Sequence, residues 1–467
     1  MCFCTSRGET LLLDARTGKE EGLIIMKKVL LSLALALVAF TGLKAQSEYV
    51  PTEANLRSRE EFRDMKLGIF LHWGIYSMFA QGEWYLQNAV PDRYEYAKVA
   101  DAFYPHRFDA RQWVRSIKAA GAKYICFTTR HHDGFSMWHT KQSKFNIVEA
   151  TPYGKDVLKE LAEACREEGI RLHLYYSHID WMRDDYPMGR TGVNCGKTRD
   201  NSNWKQYYNF MNAQLTELLT EYGDIGSIWF DGWWDHEEDA VPFNWELPAQ
   251  YELIHKLQPA CLVGNNHHGA PFEGEDIQIF ERDLPGEMTS GFAKHAAKVS
   301  RLPLETCQTM NGMWGYKVID NNYKTSADII RLLINTSGKG ANLLMNIGPQ
   351  PNGELPAIAL ERLKELGEWT SVYGETIYGT DAGDIKPQKW GVSTMKDDKL
   401  YLHITALEQI EKDENGQRVL HLPLKRKVKS VTEFVGGAKV KFAKGKECIS
   451  ITLPTKVDVV DYVLVLK

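Results

Sequence analysis

Short apolar runs alternate with amphipathic stretches between about residues 60 and 380. Runs such as "KLGIFLHWG", "KYICFTT", "IRLHLYYS" and "GSIWFDG" are typical of strands, and the stretches between them carry apolar residues at helical spacing. A strand followed by a helix and another strand predicts parallel pairing with right-handed crossovers. The number of these units favours an α/β fold of the (β/α)8-type barrel class. A doubly wound sheet is the alternative, but the Gly-rich phosphate loop usual after its first strand is missing.

The pattern changes after "YGETIYGT" (Tyr373–Thr380). The runs "KLYLHIT", "RVLHLPL", "SVTEFVG", "ECISITLP" and "DYVLVLK" follow one another across polar turns, and no predicted helix separates them. Period-two runs at this spacing predict a small antiparallel β-sandwich. We therefore expect a barrel domain over residues 46–383 and a C-terminal β-sandwich domain over residues 384–467.

The N-terminal region predicts a leader over residues 1–45. The segment "MKKVLLSLALALVAFTGLKAQ" (Met26–Gln46) has a basic start, an apolar run and a small residue before a polar stretch, which is typical of a secretory signal. It is too short and wrongly flanked for a stable membrane span. We expect a signal peptide over residues 26–45, an over-long start over residues 1–25, and export to the periplasm or beyond.

Composition excludes some partners and favours one class of ligand. The net charge is −5, and Lys and Arg are scattered, so neither a nucleic acid nor an anionic membrane is expected as a partner. The 13 Trp and 21 Tyr supply flat apolar faces with polar edges, which suit sugar rings. Behind the leader the cysteines are far apart without a CxxC pair, so no zinc or redox cluster is predicted; Cys126 and Cys307 have the surroundings of core residues.

In a barrel the functional side chains lie at the carboxyl ends of the strands and in the loops that follow. Aromatic and polar residues cluster at these positions in the sequence. They are His72, Trp73, Glu83, Trp84, His131, His132, Asp133, Tyr175, Tyr176, His178, Trp229, Asp231, Asn265, Asn266, His267 and His268. The sequence therefore predicts one site at one rim of the barrel.

Several of these residues allow more than one interpretation. Asp231, inside "GSIWFDGWWDHEED", is either a helix N-cap or loop carboxylate, or a nucleophile in an aromatic surround. His131 and His132 could bind a metal, but adjacent residues of an extended chain point in opposite directions, which favours hydroxyl recognition by at least one of them. Glu83 beside Trp84 joins an acceptor to a stacking face, a combination that also occurs on ordinary surfaces. We expect no metal and no cofactor.

Seven motifs in order resemble the α-L-fucosidases of glycoside hydrolase family 29. They are "MKLGIFLHWGIYS", "GEWY", "RHHDGFSMW", "LYYSHIDW", "IWFDGWW", "LETCQTMNGMWGY" and "GANLLMNIGPQPNGE", and they cover most of residues 60–380. The resemblance implies a cofactor-free barrel enzyme with a β-sandwich that releases terminal α-linked L-fucose from fucosylated glycans with retention of configuration. It implies Asp231 as the nucleophile. The fucose pocket implied by the resemblance comprises His72, Glu83, Trp84, His131, His132, Tyr176, Trp229 and Trp314.

The acid/base residue does not transfer as simply, because its position varies within that family. The candidates are Glu281 and Glu287 in "IQIFERDLPGE" and Glu305 in "LPLETC", and we favour Glu281. His267 is expected to replace an arginine that some relatives carry. Two other functions stay open, a retaining exo-glycosidase for α-L-galactosides and a catalytically inactive sugar-binding protein. Linkage preference and oligomeric state are not predicted.

Overall fold

Short-range signals in the sequence define the helix ends of the barrel. Asp109 and Asp156 cap two helices by accepting hydrogen bonds from the backbone N–H groups of Gln112 and Lys159. The second helix ends at Gly169, whose φ of 69° is readily adopted by glycine, and the next strand begins two residues later. The predicted alternation of helix and strand is therefore present in the computed structural model.

The structure describes residues 49–89, 92–193, 195–197, 201–292, 298–457 and 459–467, and the predicted leader lies outside these residues. Residues 51–467 form one compact unit. The helices are α1 (Glu53–Met65), α2 (Tyr85–Asn88), α3 (Arg93–Ala97), α4 (Ala110–Ala119), α5 (Val157–Glu168), α6 (Trp204–Glu221), α7 (Leu247–Leu257), α8 (Ser326–Gly338) and α9 (Ala357–Tyr373). Short 3-10 turns lie at Ile75–Phe79, Lys98–Ala102, Trp233–His236, Gly374–Thr376 and Leu407–Gln409.

The first eight strands form one parallel sheet. They are β1 (Leu67–Leu71), β2 (Tyr124–Arg130), β3 (Arg171–Ser177), β4 (Ser227–Asp231), β5 (Leu262–Asn266), β6 (Gln278–Glu281), β7 (Leu304–Thr309) and β8 (Ala341–Ile347). The order is β5-β4-β3-β2-β1-β8-β7-β6, and one parallel bridge between Gly264 and Ile277 joins its two edges. This nearly closed barrel confirms the predicted fold class.

Alternate residues of each strand face opposite sides of the barrel wall. In β4, Trp229 belongs to the cluster inside the barrel, whereas Ile228 and Phe230 belong to the larger core between strands and helices. Cys126 and Cys307 also lie in the interior cluster and are buried, as predicted. All six cysteines in the described part of the chain are free thiols.

The C-terminal strands form two antiparallel sheets around their own core, as predicted. One contains β9 (Asp381–Ala382), β10 (Gly391–Lys396), β11 (Lys399–Ile404), β13 (Val431–Glu433) and β16 (Tyr462–Leu466), and the other contains β12 (Val419–Pro423), β14 (Phe442–Lys444) and β15 (Cys448–Thr452). The first strand thus begins a few residues before position 384. Among the described residues, no helix is long and apolar enough to cross a membrane.

A buried polar chain connects the sandwich to the end of the barrel. Thr394 in β10 donates from Oγ1 to the carbonyl oxygen of Thr376 at 2.6 Å and lies 3.1 Å from His403 Nε2. The other ring nitrogen of His403, Nδ1, lies 2.8 Å from Asp461 Oδ2. His403 and Thr394 are fully buried, so these polar groups have little access to water if one of them is removed.

We expect His403→Ala to destabilise the protein, because it removes the buried partner of Asp461 Oδ2 and one of the two contacts of Thr394 Oγ1. The expected loss is about 1–3 kcal/mol in the free energy of unfolding, measured by urea denaturation with circular dichroism. His421→Ala is the control, since His421 is exposed and bonds Ser450 on the sandwich surface; its effect should stay within about 0.5 kcal/mol. Equal losses in the two variants would contradict a special role for the buried chain.

Candidate active site

A cavity of about 400 Å³ opens at the carboxyl ends of the barrel strands. This is the end of a barrel at which active sites are built, as the rim cluster predicts. Its lining comprises Phe70, His72, Glu83, Trp84, His131, His132, Tyr175, Arg190, Trp229, Asp231, Trp234, Glu237, Asn266, His268, Glu281, Arg282, Gly291, Phe292, Met313 and Trp314. Aromatic rings and titratable groups therefore face the same space.

Asp231 is the last residue of β4 and is held by donors on both carboxylate oxygens. The backbone N–H of Gly232 and the indole Nε1–H of Trp234 donate to Oδ1 at 2.9 and 3.0 Å, and the Tyr175 hydroxyl donates to Oδ2 at 3.0 Å. Gly232 has φ 102°, and a Cβ there would lie 2.6 Å from Ile179, so glycine suits this turn. Asp231 does not cap a helix, because its own turn residues and a tyrosine of β3 use its oxygens.

Glu281 ends β6, and Asn266 ends the strand between the two acids. The Asn266 amide Nδ2 lies 2.8 Å from Glu281 Oε2 and 3.4 Å from Asp231 Oδ1. Because one nitrogen lies near both oxygens, those oxygens are closer together than the roughly 6.5 Å minimum typical of inverting glycosidases. Burial and then the charge of Glu281 raise the pKa of Asp231 to about 6, although hydrogen bonds from Trp234 and Tyr175 oppose the rise.

His268 contacts the same oxygen of Glu281 as Asn266 does, with Nε2 3.0 Å from Oε2. Burial lowers the pKa of His268, but the hydrogen bond and charge of Glu281 raise it more, so the net shift is upward. His268 and Arg282 have φ values of 60° and 59°, a region that such side chains rarely adopt. His267, the expected replacement of an arginine, pairs with Glu275 outside the cavity lining, whereas His268, Arg190 and Arg282 are in the lining.

Two neutral histidines present acceptors to the cavity. Asn346 donates from Nδ2 to the Trp314 carbonyl, so its Oδ1 accepts from His72 Nδ1–H at 2.7 Å. Ser177 donates to the Ile179 carbonyl, and its oxygen accepts from His132 Nδ1–H at 2.6 Å. Burial lowers the pKa of each ring to about 3. The Nε2 atom of each neutral ring is therefore left as an acceptor for a ligand hydroxyl.

His131 stacks on Tyr175 at 5.5 Å with an interplanar angle of 9°. Burial and the neighbouring histidines hold its pKa well below the ordinary value. Within the described part of the chain, no group of three or more His, Cys, Asp or Glu residues is arranged to hold a metal ion. A neutral His131 ring suits contact with a hydroxyl group and does not supply a positive charge.

The apolar walls of the cavity are indole rings. Trp84 stacks on Trp234 at 5.8 Å, and Trp229 stacks on Tyr175 at 5.5 Å. Trp314 packs against the His72 ring at 5.2 Å on another side. Glu83, beside Trp84, accepts the backbone N–H of Gly315 at 2.7 Å and is buried, and burial raises its pKa.

Glu305 lies inside the barrel beneath the cavity and does not line it. Its two oxygens accept the Tyr124 hydroxyl at 2.6 Å and the Trp229 indole Nε1–H at 2.8 Å. Burial raises the pKa of Glu305 to about 7. Glu287 is bonded to Lys339 at 2.6 Å and is also outside the lining. Of the three acid/base candidates, Glu281 is the one that faces the cavity.

Tyr176 requires a correction, because the structure does not place it in the pocket. Its hydroxyl donates to Gln214 of α6 at 2.7 Å, on the outer side of the barrel wall. Tyr175 occupies the inner side instead, since adjacent residues of a strand point in opposite directions. The other nine predicted site residues all line the cavity. Their individual roles remain predictions.

Several lining residues were not among the predicted site residues. Tyr175, Asn266 and His268 belong to the strand-end cluster. The alternation of inward- and outward-facing residues along β3 and β5 would have assigned Tyr175 and Asn266 to the cavity. Arg190, Glu237, Arg282, Phe292 and Met313 lie in loops, where no period in the sequence indicates direction. Trp234 stands in the quoted "WFDGWW" motif, but only the turn at Gly232 brings its indole nitrogen back to Asp231.

Comparison with known proteins identifies the family. The family model described as alpha-L-fucosidase matches residues 36–375. The chain belongs to the α-L-fucosidase family. Isoenzyme 1 of α-L-fucosidase from Paenibacillus thiaminolyticus is 31% identical with a TM-score of 0.77, and the match covers 88% of this chain and 99% of that one. The plasma α-L-fucosidase of Rattus norvegicus is 30% identical over 392 residues, which is 76% of this chain and 78% of the relative.

Another solved α-L-fucosidase, of family GH29 from Bacteroides thetaiotaomicron, was trapped as a covalent intermediate with 2-fluoro-fucosyl fluoride. It is 25% identical with a TM-score of 0.74, and the match covers 90% of this chain and 99% of that one. The family shows that this chain is a glycoside hydrolase. The cavity at the barrel rim is the fucosidase's candidate active site, because the paired carboxyl groups that such chemistry requires face each other there.

Tyr175→Phe should move the acidic limb of the kcat/KM profile of this fucosidase to higher pH. Loss of the hydroxyl removes a donor that favours ionised Asp231, so the pKa of Asp231 rises by roughly half to one unit. The nucleophile role that the sequence predicts for Asp231 requires the ionised form, so we expect activity to be lost at a higher pH. The measurement is a pH profile with an aryl α-L-fucoside.

Tyr176→Phe is the matched control, one residue away on the same strand. It removes a buried hydroxyl that bonds Gln214 and not Asp231. It should lower stability by about 1 kcal/mol and leave the pH profile in place. A shift of the acidic limb in Tyr176→Phe, with none in Tyr175→Phe, would show that the assignment of inner and outer tyrosines is wrong.

Proposed function

We propose that the protein is a retaining, exo-acting α-L-fucosidase that hydrolyses terminal α-linked L-fucose by double displacement. Asp231 is the nucleophile and Glu281 the general acid/base. The observation that carries the proposal is the single amide of Asn266 between the two carboxyl groups, at 2.8 and 3.4 Å. This bounds the separation of Asp231 Oδ1 and Glu281 Oε2 below the roughly 6.5 Å minimum of inverting pairs, which supports a retaining mechanism.

In the first step, an oxygen of Asp231 attacks the anomeric carbon and the bond to the glycosidic oxygen breaks. Oδ1 accepts from Gly232, Trp234 and Asn266, whereas Oδ2 accepts only from Tyr175 among the described residues, so Oδ2 is the better placed to attack. Glu281 gives its proton to the departing oxygen. The products are a fucosyl ester of Asp231, the released alcohol and an ionised Glu281.

In the second step, ionised Glu281 removes a proton from water as the water attacks the anomeric carbon. The ester bond breaks, Asp231 regains its negative charge, and fucose leaves with its original configuration. Asn266 and His268 both contact Oε2 of Glu281 and hold it in place through both steps. The proton that Glu281 gains from water restores the acid for the next cycle.

The lining of the cavity suits a 6-deoxy sugar. The indole rings of Trp84, Trp229 and Trp314 offer apolar contact for a methyl group and a ring face. The Nε2 acceptors of His72 and His132 can take hydrogen bonds from hydroxyl groups. Because the cavity is closed beneath by the interior residues of the barrel, a sugar at the end of a glycan fits it better than one within a chain.

The N-terminal sequence supports a proposal for the place of action. We propose that the enzyme works outside the cytoplasm, because residues 26–45 have the three regions of a secretory signal. Fucosylated oligosaccharides or glycoconjugates are then the substrates. The scattered basic residues that argue against nucleic acid or anionic lipid as partners support this view.

Asp231→Ala should abolish turnover of aryl α-L-fucosides, because it removes the attacking oxygen of both proposed steps. The expected loss is many powers of ten in kcat, measured on purified protein whose circular dichroism matches the wild type. A residual rate above about one hundredth of the wild-type value would mean that Asp231 is not the nucleophile.

Glu281→Ala should slow cleavage of natural oligosaccharides far more than the first step on an activated aryl fucoside, whose leaving group needs no proton. The fucosyl-enzyme should accumulate because no base activates water. Azide needs no base, so it should restore turnover and yield fucosyl azide with retained configuration, detected by NMR.

Glu305→Ala is the matched comparison, since Glu305 is also a buried glutamate near the site but does not reach the cavity. It should mainly weaken binding, through the loss of the Trp229 hydrogen bond, and azide should not rescue it. Rescue of Glu305→Ala by azide, with Glu281→Ala unaffected, would exchange the two roles.

A further inference from the structure

The position of Glu281 defines where the leaving group must lie. The general acid has to reach the glycosidic oxygen, so the sugar that departs lies on the Glu281 side of the cavity mouth. Asp231 lies on the opposite side of the anomeric carbon, because attack and departure occur on opposite faces. This step rests on the proposed function, and it makes the residues around Glu281 the candidates for contact with the leaving sugar.

Phe292 is the aromatic residue at the mouth on that side. Its ring lies 5.9 Å from the ring of His268, which bonds Glu281, and the Arg282 guanidinium carbon lies 5.9 Å from the same ring. Phe292 lines the cavity and is 45% exposed. The indole of Trp229, in contrast, is buried within the barrel and belongs to the inner part of the pocket.

Arg282 adds hydrogen-bond donors beside this ring. Its guanidinium carbon lies 5.3 Å from the Trp314 ring, and Nη2 donates to the carbonyl oxygen of Gly312 at 2.7 Å. Among the described residues, no carboxylate lies within ion-pair distance of Arg282, and its buried Nε has no partner. The side chain therefore joins the inner wall at Trp314 to the mouth at Phe292 with donor capacity to spare.

We propose that Phe292 and Arg282 form the binding site for the first sugar of the leaving group. The apolar face of a hexopyranose ring packs on the half-exposed Phe292 ring, and Arg282 donates to its hydroxyl oxygens. An aromatic face with a planar donor group next to it matches the mixed polarity of a sugar ring. The site would make the enzyme favour fucose attached to another sugar over fucose attached to a leaving group with no ring.

The test compares two substrates that share fucose and differ in the leaving group. One is α-L-fucosyl fluoride, which has no ring to contact Phe292, and the other is the best substrate from a panel of fucosylated disaccharides of differing linkage. In Phe292→Ala, kcat/KM for the disaccharide should fall about three- to tenfold more than kcat/KM for the fluoride, mainly through a higher KM. Phe292→Tyr keeps the ring and should keep the wild-type ratio.

Met288→Ala is the control for substitutions in the same loop, because Met288 is 47% exposed but does not line the cavity. It should leave both substrates unaffected. Equal losses on the two substrates in Phe292→Ala, or no loss on the disaccharide, would overturn the proposed sugar site. Failure of the wild-type protein to hydrolyse the fluoride would contradict the proposed function itself, and the sugar site with it.

Discussion

Asp231, Asn266 and Glu281 can act together because each is the last residue of its strand. Parallel strands of a barrel end at one rim, and β4, β5 and β6 follow one another around it, with the bridge at Gly264 and Ile277 connecting the last two. The inward side of each final residue therefore faces the same space. The short contacts from the Asn266 amide to both carboxyl groups depend directly on this alignment.

The surrounding rings determine which groups carry charge. Removal of water raises the pKa of Asp231 to about 6 and lowers the pKa of His72 and His132 to about 3. Near neutral pH these two histidines are uncharged acceptors, while Asp231 is ionised. Burial raises the pKa of Asp231, and donors at 3.0 Å or less on both carboxylate oxygens offset only part of that rise. The aromatic walls that we propose as the sugar contact thus also influence which groups of the site carry charge.

The floor of the pocket is connected to the Asp231 carboxylate through packed groups. Glu305 accepts the indole N–H of Trp229, Trp229 stacks on Tyr175, and the Tyr175 hydroxyl donates to Asp231. Each member of this series is buried, so the position of one ring restricts the next. Glu305, which does not line the cavity, can therefore influence how the Asp231 carboxylate is oriented.

The sequence by itself determined the alternation of strands and helices, the change to antiparallel strands near residue 380, and the strand-end positions of His72 and Asp231. These follow from local periodicity, helix caps and motifs, which require no knowledge of distant residues. Only the tertiary structure decided between neighbours in the chain: Tyr175 rather than Tyr176, and His268 rather than His267. It also separated Glu281, which faces the cavity, from Glu305 beneath it. Such choices depend on which side of a strand faces inward and on how high along the barrel a residue lies. Closure of the barrel determines both quantities through contacts between residues far apart in sequence.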